Sequence, residues 1–149
     1  MTRTETALAR FAEGFNCSQA VLSVFVDDCG LQMESALRVA SGFGGGMGCM
    51  GEACGAVTGA IMVLGLRYGA ATADREAKEQ VYQEVVHFIQ RFKARNGTIT
   101  CRELLGCDIS TPEGLQRMRD QGLFTTLCPR FVQDALEILE EMEEMESRQ

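Results

Sequence analysis

Residues 42–59 read Gly-Phe-Gly-Gly-Gly-Met-Gly-Cys-Met-Gly-Glu-Ala-Cys-Gly-Ala-Val-Thr-Gly and hold eight of the chain's sixteen glycines and two of its seven cysteines. The first half of this stretch is too rich in glycine to form a helix, since each Gly costs about 1 kcal/mol relative to Ala in a helix interior. The second half runs into Ala60-Ile61-Met62-Val63-Leu64, an apolar run with no charge to keep it at the surface. The expected arrangement is a flexible loop entering a helix over about 52–68. A helix that is apolar on every side belongs at the centre of a bundle. Gly51, Gly55 and Gly59 recur every four residues. That spacing places them on one face, where another backbone can come close.

The rest of the chain repeats the helical period. Prolines are limited to Pro112 and Pro129, and no alternating β-branched run occurs, so the fold class expected is all-α. A first helix is expected over Thr4–Glu13, with Ala7, Leu8 and Phe11 facing in and Gly14 as its stop. A second is expected over Cys17–Asp28. Asn16 and Gln19 form a capping box at its start, and Cys29-Gly30 forms a glycine end. A third is expected over Met33–Ser41, packing through Ala36, Leu37 and Ala40. After the central helix, Asp74 starts one that stops at Asn96-Gly97, with Val81, Val85, Phe88 and Phe92 inward. Thr100-Cys101-Arg102-Glu103 reads as a capping box for a short helix ending near Gly106. Thr111-Pro112-Glu113 opens another, with Pro in its favoured first position. The last is expected from Cys128-Pro129 to about Glu144, with Phe131, Ala135, Ile138, Leu139 and Met142 facing in. Residues 1–149 read as one domain, without an internal repeat or linker and with a frayed tail at about 145–149. The Met142–Met145 end offers a surface for a homodimer.

Composition excludes several functions. The net charge is −7 and the pI about 4.8, whereas phosphate backbones require a basic surface; no nucleic acid is expected as partner. The acidic run from Glu137 to Glu146 reads as a solvated helix face. The longest uncharged run, Ala53–Leu66, is short of the roughly 20 residues a membrane span needs, and the polar N-terminus does not resemble a signal peptide. A cytoplasmic location is therefore expected, where cysteines serve metal or redox chemistry more often than static disulfides. The glycine loop lacks the Gly-Lys-Ser/Thr of a phosphate-binding loop and follows no strand, which argues against a nucleotide site. No Cys-x-x-Cys-His occurs, so c-type haem is excluded. His87 lies beside Phe88 on a long helix, with no cysteine near it in sequence.

The cysteines follow a pattern. Cys17, Cys54, Cys101 and Cys128 each fall in or beside the first turn of an expected helix, and Cys49 lies just ahead of one. Unpaired N–H groups and the positive end of the helix dipole favour a thiolate there, the form that attacks disulfides and binds metals. Cys29 and Cys107 follow helix ends and receive no such help. Cysteine also packs as a small apolar side chain, and for Cys17 and Cys29 that structural role is the expected one. The Cys-x4-Cys spacing of Cys49 and Cys54 identifies no chemistry by itself.

Cys49, Cys54-Gly55-Ala56-Val57-Thr58-Gly59, Cys101 and Cys128 together resemble the C_GCAxxG_C_C family of putative redox-active proteins. Phe15-Asn16-Cys17-Ser18-Gln19-Ala20, Cys101-Arg102-Glu103-Leu104-Leu105-Gly106 and Thr111-Pro112-Glu113-Gly114 add to the likeness, which extends from about Phe15 to Leu139. The resemblance implies that Cys49, Cys54, Cys101 and Cys128 are the functional set. A related domain accompanies the haem domain of split-Soret cytochromes, where a small iron–sulfur centre has been proposed.

Three functions are compatible with this set. Four thiolates suit an iron–sulfur cluster, [2Fe–2S] by preference, with loop N–H groups tuning its potential. The same cysteines could carry electrons by thiol–disulfide exchange, with Cys54 attacking and a neighbour such as Cys49 resolving. A structural zinc site in a regulatory or interaction protein is the alternative. No enzyme class and no redox partner can be named from these residues. The resemblance and the cluster both imply that the four sulfurs share one small site.

Overall fold

The computed structural model describes all 149 residues. Its helices are α1 (Arg3–Glu13), α2 (Cys17–Ser23), α3 (Val26–Cys29), α4 (Met33–Val39), α5 (Gly55–Tyr68), α6 (Arg75–Asn96), α7 (Cys101–Leu105), α8 (Pro112–Asp120), α9 (Leu123–Thr126) and α10 (Cys128–Ser147). A 3-10 turn spans Ser41–Phe43. No strand forms; one isolated bridge pairs Ala53 with Thr100. The fold is all-α, and no helix is long and apolar enough to cross a membrane.

Helix α5 is the central element, packed against α2, α6 and α10. It begins at Gly55 rather than near residue 52, because Ala53 is held in the bridge to Thr100 and Cys54 takes extended backbone angles as N-cap. The close approach expected of its glycines occurs against α2. A Cβ on Gly59 would stand 2.8 Å from the Ser18 carbonyl oxygen, and one on Gly55 would stand 3.0 Å from the Cys17 Cβ. Gly51 lies outside the helix and faces Arg102 instead.

Most helix ends fall where the capping residues place them. Thr2, Asn16, Asp74 and Thr111 accept N–H bonds from the first turns of α1, α2, α6 and α8. Gly14, Gly30, Gly97 and Gly106 take left-handed angles at helix C-termini. The helix expected over Cys17–Asp28 is broken at Val24–Phe25, so that α2 and α3 are separate. The Ser23 hydroxyl donates to the Ala20 carbonyl, a back-bond that bends helices. Phe25 is fully buried, with the Arg3 and Arg67 guanidinium groups 4.4 and 4.9 Å from its ring centroid. The last helix runs past Glu144 to Ser147. Met142 is buried in the protein's own core, and of the two methionines at that end only Met145 is exposed.

Phe88, Phe92 and Phe131 form the aromatic part of the core, with successive ring centroids 6.1 and 6.5 Å apart. They join α6 to the first turn of α10, immediately beside Cys128. Arg95 on α6 reinforces that junction through ion pairs to Asp134, Glu137 and Glu141 of α10. The start of α10 is thereby held against the bundle.

Candidate functional site

The glycine stretch is a hydrogen-bonded turn rather than the flexible loop expected from its composition. Five successive residues, Gly45 to Cys49, have φ between 58° and 71°. L-residues other than glycine enter this left-handed region only at a cost of roughly 1–2 kcal/mol each, which accounts for the glycines there and leaves Met47 and Cys49 strained. Backbone bonds from Gly48 to Gly42, Cys49 to Gly44, Gly51 to Gly45 and Glu52 to Gly46 hold the turn. A Cβ on Gly46 would lie 2.7 Å from the Cys101 Cβ, so the turn packs directly on that cysteine.

The turn also determines where α7 begins. The capping box expected at Thr100 does not form, and its side chain makes no cap. Instead the Cys101 N–H donates to the Glu52 carbonyl at 2.6 Å and the Arg102 N–H to the Gly51 carbonyl at 3.0 Å. Loop carbonyls thus take up the orphan donors that a side chain otherwise satisfies. The Cys54 N–H donates to the Ile99 carbonyl, tying the start of α5 to the same segment. Arg102 closes the junction by donating to the Met50 carbonyl at 3.0 Å, with Glu52 and Asp108 nearby.

These connections gather cysteines from separate parts of the chain around one cavity of about 680 Å³, lined by Cys17, Cys49, Cys54, Cys101 and Cys128. Cys17 is the first residue of α2, Cys54 the N-cap of α5, Cys101 the first residue of α7 and Cys128 the first of α10. The expected helix-start pattern therefore holds for all four. Cys49 is exposed at the rim, while the other four are buried. Cys17, for which the sequence favoured a packing role, lies in the cavity wall within electrostatic reach of Cys128, Cys54 and Cys101. The signal that could have marked it was its helix-start position, which it shares with the others. Cys107 is buried outside the cavity lining, near enough to Cys101 to influence it, and Cys29 lies near Arg67 and Arg3.

Burial reverses the acidity expected for two of these thiols. It pushes Cys54 up to about 11, against a smaller lowering by the Ala56 and Val57 amides. Those amides close no regular side-chain cap on the sulfur. Burial likewise pushes Cys101 up to about 12, and the neighbouring Cys54, Cys128, Cys49 and Cys107 add to the rise. Helix α7 has five residues, and its first N–H groups are already given to the loop, so little of its positive end reaches the sulfur. Cys128 behaves differently. The neighbouring Cys17 thiol holds the Cys128 pKa below the ordinary thiol value, outweighing burial. Cys17 is raised in turn, by the Cys128 side chain and then by burial.

Four buried thiols on four elements line the cavity, the number of cysteine ligands that an iron–sulfur cluster takes. No three His, Cys, Asp or Glu side chains come together closely enough to hold a single metal ion. His87 is exposed and takes no part in the cavity.

No curated protein and no solved structure matches the chain. The sequence model of one family, described as putative redox-active protein (C_GCAxxG_C_C), matches residues 15–142. That span runs from the residue before the Asn16 cap to Met142 of α10 and includes every cysteine of the cavity, and the chain belongs to this redox-active, cysteine-rich C_GCAxxG_C_C family.

Proposed function

We propose that the cavity is a two-electron redox centre working by thiol–disulfide exchange, with Cys128 as attacking thiolate and Cys17 as its resolving partner. The observation that carries this reading is that both cysteines line the cavity as first residues of their helices, Cys128 at the start of a 20-residue helix and with its pKa lowered by Cys17. The Cys128 thiolate attacks one sulfur of a disulfide substrate and expels the other as thiolate, leaving a mixed disulfide. Cys17 then attacks the Cys128 sulfur, closes the Cys17–Cys128 disulfide and releases the second product thiol, which takes up the Cys17 proton. The protein loses two electrons and the substrate gains them. Of the set suggested by sequence, Cys54 and Cys101 complete the sulfur wall, and Cys49 stands at the entrance.

The test is to oxidise the reduced protein with limiting oxidised dithiothreitol and map its disulfides by mass spectrometry. A Cys17–Cys128 link should form first. Oxidation that pairs other cysteines while these two remain thiols would overturn the reading.

A second reading is supported by the number of buried thiols, which exceeds what a dithiol needs. Cys17, Cys54, Cys101 and Cys128 would hold a [2Fe–2S] cluster, which when bound carries single electrons. The chain's own contribution is then to exclude water from the sulfurs and to fix them on four helix starts. A zinc site needs its thiolates gathered on one point, and the arrangement here favours it less. Anaerobic purification followed by iron and sulfide analysis separates the two: neither element bound, before or after reconstitution, eliminates the cluster.

A further inference from the structure

The sulfurs occupy only part of the cavity, and the remaining lining has its own chemistry. The lining contains no Asp, Glu, Lys, Arg or His, although the chain as a whole has a net charge of −7. Its polar side chains are already committed within the protein. Asn16 accepts from the Gln19 N–H and donates to the Ser41 carbonyl. The Ser41 hydroxyl donates to the Arg38 carbonyl, and the Thr125 hydroxyl to the Gly122 carbonyl. Four of the chain's eight phenylalanines, Phe11, Phe15, Phe124 and Phe131, border the cavity. Three of them, Phe11, Phe15 and Phe124, are only partly buried, and Phe15 lies outside the packed core.

We propose that this cavity binds one uncharged, ring-bearing small molecule, held by the phenylalanine walls with its inner end toward the sulfurs. The volume, about 680 Å³, falls within the range of small-molecule sites, roughly 300–1,000 Å³. Aromatic rings offer stacked and edge-on contacts to another ring. An ion would lose its hydration here and find no carboxylate, ammonium or guanidinium group and no uncommitted polar side chain other than the thiols. The inference rests on the preceding reading for the ligand's role as the molecule that meets the redox sulfurs; its binding rests on the walls.

The test compares two fluorescent probes that differ by one sulfonate, neutral N-phenyl-1-naphthylamine and anionic 8-anilinonaphthalene-1-sulfonate. Both are titrated into full-length Cys128→Ser protein, which lacks the proposed dithiol, and into reduced wild type in case that variant does not fold. Saturable binding of one neutral probe per chain is expected, with the sulfonate weaker by about tenfold or more. Phe15→Asp, which places a charge in the lining without touching the core, should weaken the neutral probe by about tenfold. Leu66→Asp, at an exposed position outside the cavity, should leave it unchanged. Equal binding of the two probes, indifference to Phe15→Asp, or no saturable binding would overturn the proposal. Disulfide mapping and iron analysis use no probe, so a failure of the redox reading is distinguishable from a failure of this one.

Discussion

Cys17 and Cys128 are shifted in opposite directions, Cys17 up and Cys128 down, each chiefly by the other. Because Cys17 is what lowers Cys128, Cys17→Ala should move the midpoint of the Cys128 alkylation profile to higher pH in metal-free protein. Mass-spectrometric rates across a pH series give that midpoint, and a wider entrance alone would change the rate without moving it. Cys54 shows the opposite linkage. Its folded pKa of about 11 lies above the ordinary 9.0, so the folded state keeps its proton where the unfolded chain releases it. Stability from this group is full below pH 9 and is lost as pH rises toward 11, by about 2 kcal/mol at the upper end. Urea denaturation from pH 8 to 11 should show a shallower decline in Cys54→Ala than in wild type.

Among elements, the contact between α2 and α5 sets the spacing of Cys17 from Cys54. Two glycines of the same helix should respond oppositely to a methyl group. Gly59→Ala drives its Cβ against the backbone of Ser18 and should cost about 1–3 kcal/mol as overpacking. Gly65 has nothing within 4 Å of its added Cβ, and Gly65→Ala should add about 0.5–1 kcal/mol. Chemical denaturation of both variants checks the pair; equal effects would show that the helices do not meet at Gly59. The glycines were visible in the sequence as close-approach positions, but the partner was not. Identifying α2 required knowing which helix lies across α5, and that follows from how every apolar face is buried together. The break between α2 and α3 was missed for a related reason. Val21, Leu22, Phe25 and Val26 fit one continuous helical stripe, and the break coincides with the Ser23 back-bond and with the burial of Phe25 beneath two arginines.

Across the whole molecule, the site depends on core that contains none of its chemistry. Phe92 is fully buried between Phe88 and Phe131, where it joins α6 to the beginning of α10. Phe92→Ala should destabilise the fold by about 3–5 kcal/mol, measured by thermal or urea unfolding. The folded fraction should also show faster Cys128 alkylation, since the first turn of α10 loses its support. A variant that unfolded more easily with Cys128 no more reactive would show that the cavity is held from elsewhere.

Sequence alone was sufficient for the all-α class, for most helix ends and for the placement of four cysteines at helix starts. Each of these depends on residues within a turn or two of one another: caps, terminal glycines and apolar period. Tertiary structure decided which thiols meet and what they become. Cys17 came to line the same cavity as Cys128, Cys49 stayed at the rim, and burial overrode the helix ends at Cys54 and Cys101. Solvent exposure and neighbouring charge are set by segments far apart in the chain, so a thiol's acidity is a property of the packed molecule. The glycine stretch shows the same division. Its composition required an unusual backbone, but only contact with α7 made it a left-handed turn whose carbonyls begin the helix that carries Cys101.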